Sequence, residues 1–218
     1  MKNDKLRPHI LGIRMISNVS PDLAQALKLE PRHKSVGILT ADMDDVTYTA
    51  LDEATKDADV EVVYARSMYA GAGNASTKLA GEVIGILGGP SPAEIRSGLS
   101  TVIQFMENGA CFISANEDDS IVYYAHTVSR TGSYLSKMAG IREGEALAYL
   151  IAPPLEAVYG LDAALKAADV QIAAFYGPPS ETNFGGGLLT GSQSACKAAC
   201  SAFAQAVRAV AENPREYE

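Results

Sequence analysis

Apolar positions along the chain fall into short dense runs separated by polar or glycine-rich turns, and between them lie stretches with helical spacing. SVGILTAD (35–42), EVVYARSMY (61–69), GEVIGILGG (81–89), ALAYLIAP (146–153), QIAAFYGP (171–178) and GGGLLTG (185–191) read as strands. Ser91-Pro92-Ala93-Glu94 is a helix start, with serine as the cap, proline in the first turn and glutamate three residues on. Ile95, Leu99, Val102 and Met106 follow at helical spacing, and Asn108-Gly109 supplies the stop. A last helix begins near Ser192 and carries Ala195, Ala199, Ala202, Phe203, Ala206, Val207 and Val210. Its small residues predict close packing on a neighbour.

The pattern occurs twice. LDEATKDADV (51–60) and LDAALKAADV (161–170) match at a constant offset of 110, with Leu51/Leu161, Asp52/Asp162, Ala54/Ala164, Lys56/Lys166, Ala58/Ala168, Asp59/Asp169 and Val60/Val170 identical. Even without the alanines the leucine, aspartates, lysine and valine stay in register. A strand precedes each block, and a second strand, a loop, a third strand and a helix follow it. The reading is two copies of a β-α-β-loop-β-α unit, fold class α/β or α+β.

With 218 residues, the chain has room for two domains of ordinary size. A formal charge of −8 without a Lys/Arg cluster argues against a nucleic-acid partner. No run approaches the roughly 20 apolar residues of a membrane span, and MKNDKLRPHILGIRMIS lacks a signal-peptide core. The cysteines are odd in number, which does not read as a disulfide framework and fits a reducing cytosol. Cys196 and Cys200, four apart on the last helix, read as small buried hydrophobes rather than a metal pair.

No catalytic set emerges. His9, His33 and His126 have no metal-ligand spacing, and neither a GxSxG elbow nor a GxxxxGK[ST] loop occurs. No cofactor or metal is expected. Gly88-Gly89-Pro90 reads as a tight turn rather than a phosphate loop, and Ser129–Ser133 either holds an anion or caps a helix over Tyr134–Met138. Acidic residues do gather where the first repeated helix begins: Asp42, Asp44 and Asp45. Capping and the helix dipole account for one or two of them, leaving a surplus that could hold a cation or amine. The second copy enters its helix through Pro154 and Glu156 instead. Two long loops, 68–80 and 176–187, occupy equivalent positions in the copies, and loops of such length are commonly functional.

DMDDVTYTALDEATK, VEVVYARSMYAGA, AGEVIGILGGPSPAE, HTVSRTGSYLS, YLIAPPLEAVYGLDAALK and PPSETNFGGGLLTGSQSACKAAC resemble bacterial microcompartment shell proteins, most closely the tandem-domain type of ethanolamine-utilisation compartments. The likeness spans roughly residues 5–212. It implies two circularly permuted, ferredoxin-like shell domains, over 1–113 and 114–218, in a homotrimer that mimics a hexamer. It implies a non-enzymatic subunit of a shell in the cytoplasm, tiled with other microcompartment shell proteins, with no nucleic acid or membrane as partner. A central pore opened and closed by loop rearrangement is implied, with smaller acidic pores that bind ethanolamine and favour closure. Carried over by position, the ethanolamine contacts are Asp44, Asp45, Glu82, Glu156, the backbone carbonyl of Phe112, and Thr182, Asn183 and Phe184. The gating loops carry Gly71, Gly73 and Asn74, and Gly185 and Gly186. The other reading of the same carboxylates is a small-molecule sensor or a metal-dependent enzyme acting on an amine.

Overall fold

The computed structural model describes residues 2–68, 81–178, 180 and 182–216. In chain order the first elements are β1 (Lys5–Leu6), β2 (Ile10–Ile16), α1 (Pro21–Ala26), β3 (Ser35–Ala41), α2 (Asp44–Asp57), β4 (Glu61–Ser67), β5 (Val83–Gly89) and α3 (Pro92–Asn108). They are followed by β6 (Phe112–Ser114), β7 (Val122–Val128), α4 (Ser133–Ala139), β8 (Ala146–Ala152), α5 (Pro154–Ala167), β9 (Val170–Tyr176), β10 (Gly185–Gly191) and α6 (Gln193–Glu212).

The chain divides into two compact units. One comprises Arg7–Ala110 with Gly132–Leu135, and the other Met1–Leu6, Cys111–Thr131 and Ser136–Glu218. The first holds a four-stranded antiparallel sheet in the order β2-β3-β5-β4. The second holds β7-β8-β10-β9 in the same arrangement, extended at one edge by β6 and β1. The predicted repeat is therefore present element for element: β3, α2, β4, β5 and α3 correspond to β8, α5, β9, β10 and α6. Within each unit β3 and β4, or β8 and β9, are separated by one intervening strand and joined by a helix, the split βαβ of ferredoxin-like folds. A βαββαβ order becomes the observed ββαββα when its last strand moves to the front, so β2 and β7 embody the circular permutation.

Local chemistry explains the element ends. Ser91 caps α3, its hydroxyl accepting the Glu94 N–H at 3.3 Å, while the Glu94 carboxylate accepts the N–H of Asp59 at 2.8 Å. The capping box is thus half closed, its glutamate turned to the loop before β4. Ser192 caps α6 in the same way, at 3.1 Å from the Ala195 N–H. Each unit closes over its own core. Leu39, Leu51, Leu87, Ile95 and Val102 fill the first, and Leu150, Leu161, Leu189, Phe203 and Val207 the second. Cys196 and Cys200 are buried in the second core, and burial pushes the Cys200 thiol up to about 11, so both behave as apolar filling. Gly88 and Gly89 are ladder residues of β5 paired with Val36 and Ser35, and form no phosphate loop.

Candidate functional site

Strand β3 ends at Ala41 and α2 begins at Asp44, so Asp42 lies in the turn while Asp44 and Asp45 open the helix. None of the three caps it. The cap residue of α2 is Met43, whose side chain makes no capping bond. Asp42 turns to β2's approach, accepting the His9 N–H at 2.6 Å and lying 2.7 Å from His9 Nδ1. Asp44, in the first helical turn, accepts the Asp45 N–H at 2.9 Å and the Ser67 hydroxyl at 2.7 Å. Ser67 in turn lies 2.5 Å from the Tyr48 hydroxyl, tying the end of β4 to α2. Asp45 is buried.

Glu82 joins this group from β5's approach. Gly81 has φ +65°, and a Cβ there would stand 2.4 Å from the Ala41 carbonyl. Only glycine permits that turn. Its result is that Glu82 N–H donates to Ala41 O at 2.8 Å and Glu82 O accepts the Met68 N–H at 2.7 Å. The carboxylate is held half-buried, and its pKa is raised first by desolvation and then by the charges of Asp44 and Asp42. Three carboxylates thus share one neighbourhood with one of them disfavouring its charge.

In the second unit, Phe112 on β6 stacks on Tyr124, with ring centroids 5.4 Å apart, and meets the edge of Phe184 at 5.9 Å. Phe184 ends a tight turn in which Ser180 N–H donates to Phe184 O at 2.7 Å and Asn183 N–H to Ser180 O at 3.0 Å. Asn183 takes the left-handed conformation, φ 65°, which asparagine tolerates best after glycine. The Thr182 hydroxyl lies 3.3 Å from that of Ser180. Glu156 is buried in the first turn of α5. Gly185 and Gly186, expected in the second gating loop, are the first two residues of β10, paired with Ala152 and Ile151. Gly186 has φ 150°, and a Cβ would sit 1.9 Å from Leu150 O, so close strand packing is what requires glycine there. Gly71, Gly73 and Asn74 lie outside the described residues.

Two other charged groupings already have partners. In the Ser129–Ser133 turn that looked able to hold an anion, the Gly132 N–H donates to the Asp52 carboxylate at 2.7 Å, and the Leu135 N–H beyond it donates to the same carboxylate at 2.8 Å. Among the described residues, Glu30, His33 and Glu61 come within 4.8 Å of one another, close enough to share an ion. Arg32 already offsets part of that group's negative charge, bonded to Glu61, 2.6 Å from Asp59 and 3.5 Å from Glu30. A shallow cleft of about 580 Å³ in the second unit is lined by Ser129, Glu145, Asp169, Gln171, Thr190 and Gln193, and contains none of the residues expected to contact ethanolamine. Sequence patterns gave no sign of His9, Ser67 or Tyr124, whose parts here depend on strand pairing.

The BMC domain family matches residues 35–117. Over 98% of its length the chain is 74% identical to the bacterial microcompartment shell protein EutL of Clostridium perfringens, covering 99% of that protein. The Escherichia coli protein of the same name is 57% identical over 97% of this chain and 96% of its own. The crystal structure of ethanolamine utilization protein EutL from Leptotrichia buccalis superposes with a TM-score of 0.97 at 70% identity, covering both chains completely. No helix among the described residues is long and apolar enough to cross a membrane. With a repeated ferredoxin-like sheet, a matching domain and identity running end to end, this chain belongs to the EutL family of bacterial microcompartment shell proteins.

Proposed function

We propose that the chain is a non-enzymatic structural subunit that forms a homotrimer with two shell domains per chain, dividing near residue 113. The trimer tiles with other shell proteins around a central pore that loops open and close, and its acidic small pores bind ethanolamine. The observation that carries the amine site is Glu82, whose charge is disfavoured by burial and by Asp44 and Asp42. An ammonium group relieves that repulsion and donates charge-assisted hydrogen bonds to carboxylates. Asp44, Asp45 and Glu82 supply the negative charge in this reading. Glu156, the Phe112 carbonyl, and Thr182, Asn183 and Phe184 are the other contacts, the carbonyl accepting a donor that carboxylates leave over. A ligand closes a gate only by binding the closed arrangement better, and the 182–184 turn is the proposed source of that difference.

Calorimetry with ethanolamine tests the site. Wild-type chain binds, while Asp45→Ala and Glu82→Ala each weaken binding by about tenfold or more, as loss of a charge-assisted bond requires, without loss of the trimer by sedimentation. Unchanged affinity in both variants overturns the assignment. Turnover of an amine that vanishes in Asp45→Asn would instead establish an enzyme.

A further inference from the structure

The two copies of the repeat are not equally covered. Helices α2 and α5 match at the offset of 110, so Asp45, Tyr48, Thr49 and Asp52 correspond to Leu155, Val158, Tyr159 and Asp162. On α2 this stripe is inside, at 7, 9, 0 and 0% exposure. On α5 it is outside: Leu155 is 59% exposed, Val158 51% and Tyr159 55%, and the Asp162 side chain is 60% exposed.

The cover on α2 is the segment Gly132–Leu135, part of the same compact unit. The Tyr134 ring lies 6.0 Å from that of Tyr48, Asp52 accepts the Gly132 and Leu135 N–H groups, and Ser133 N–H donates to the Thr55 hydroxyl at 3.1 Å. Leu135 is fully buried. This segment lies between β7 and β8. Its counterpart between β2 and β3 is Ser20–Leu23, 112 positions earlier, the same offset that relates the starts of β2 and β7. Leu23 therefore corresponds to Leu135, yet α1 buries nothing and Leu23 is 37% exposed.

One chain thus carries a filled socket, an unfilled socket and an unused plug of the same type. We infer that the Ser20–Leu23 turn of one molecule docks on the Leu155–Val158–Tyr159 face of a second copy of this chain, with Asp162 beside it where Asp52 stands in the filled socket. Chemistry favours a second copy as occupant, because the plug that fits this socket in the repeat is a segment of the chain itself. The substitution of Asp45, Tyr48 and Thr49 by leucine, valine and tyrosine also gives the open socket the apolar character that drives association between separately folded molecules. The contact joins two different patches, so it runs head to tail and closes into a ring only where the rotation allows. The inference rests on the homotrimer reading and names the surfaces that make it.

Sedimentation of the full chain and of Leu23→Asp and Val158→Asp decides the matter. Both positions are exposed within one molecule, so the variants keep wild-type circular dichroism. The expected result is a trimer for wild type, and a dissociation constant raised by about 100-fold or more in each variant, the effect of losing an interface anchor. A second measurement covers any variant that aggregates. With Cys111→Ser as background, Leu23→Cys and Val158→Cys in one chain should join with a short bismaleimide into two- and three-chain products. Trimers of unaltered affinity in both aspartate variants, or cross-linking that yields single chains only, overturn this assignment and leave the homotrimer standing. A wild-type chain that stays monomeric overturns both.

Discussion

The carboxylate of Asp52, on α2, accepts the backbone N–H of Leu135 at 2.8 Å across 83 residues of sequence, and that of Gly132 at 2.7 Å. Asp52 is wholly buried, and its pKa is raised because desolvation outweighs those two bonds and the charge of Lys56. A carboxyl raised in the folded state stabilises it most at pH below the unfolded value of 3.8, and loses that contribution as pH climbs through the raised value. Denaturation across that window should show wild-type stability falling with rising pH from this group, a slope absent in Asp52→Asn. At neutral pH the same variant sets an amide N–H₂ against a backbone donor, and should cost about 1–3 kcal/mol in urea unfolding. Equal stability and equal slope would show that Asp52 does not hold the start of α4.

Glu82 has the same sign and a different consequence. Its pKa is raised above 4.5 by burial, then by Asp44 and Asp42. Ethanolamine binding calls for the carboxylate, so affinity should fall as pH drops through the raised value. Glu82→Gln should flatten that dependence. The same substitution removes a disfavoured charge, so the unliganded variant should melt at a higher temperature than wild type at pH 7. A lower melting temperature would show that Glu82 is compensated in the folded chain.

Gly81 governs where Glu82 stands. With φ at +65° and the Ala41 carbonyl 2.4 Å from any added Cβ, Gly81→Ala must shift the turn. The left-handed conformation alone costs an L-residue about 1–2 kcal/mol. The variant should lose at least that much stability, and its ethanolamine affinity should drop with Glu82 itself intact. Wild-type values for both would separate the turn from the site.

Much of the fold was legible because it is written locally. The caps at Ser91 and Ser192, the six dense apolar runs and the 110-residue offset each depend on neighbours within a turn or a strand. The short strands β1 and β6 were not legible: two or three residues carry no period, and they exist because each finds a partner edge. The carboxylates were legible as a group, though none of them caps α2. Spacing marks Asp42, Asp44 and Asp45 as crowded at a helix start, and says nothing of His9 or Ser67, which strand pairing brings to them.

Periodicity and turn chemistry, then, determine that this chain builds one unit twice, since hydrophobic spacing and capping act over a few residues and survive in any context. Only the folded arrangement decided that the stripe on α2 is covered while its equal on α5 is bare, and that one aspartate binds backbone amides while its counterpart, 110 residues on, faces solvent. Burial is a property of what arrives from far along the chain or from another molecule, and identical spacing cannot encode an unequal set of visitors.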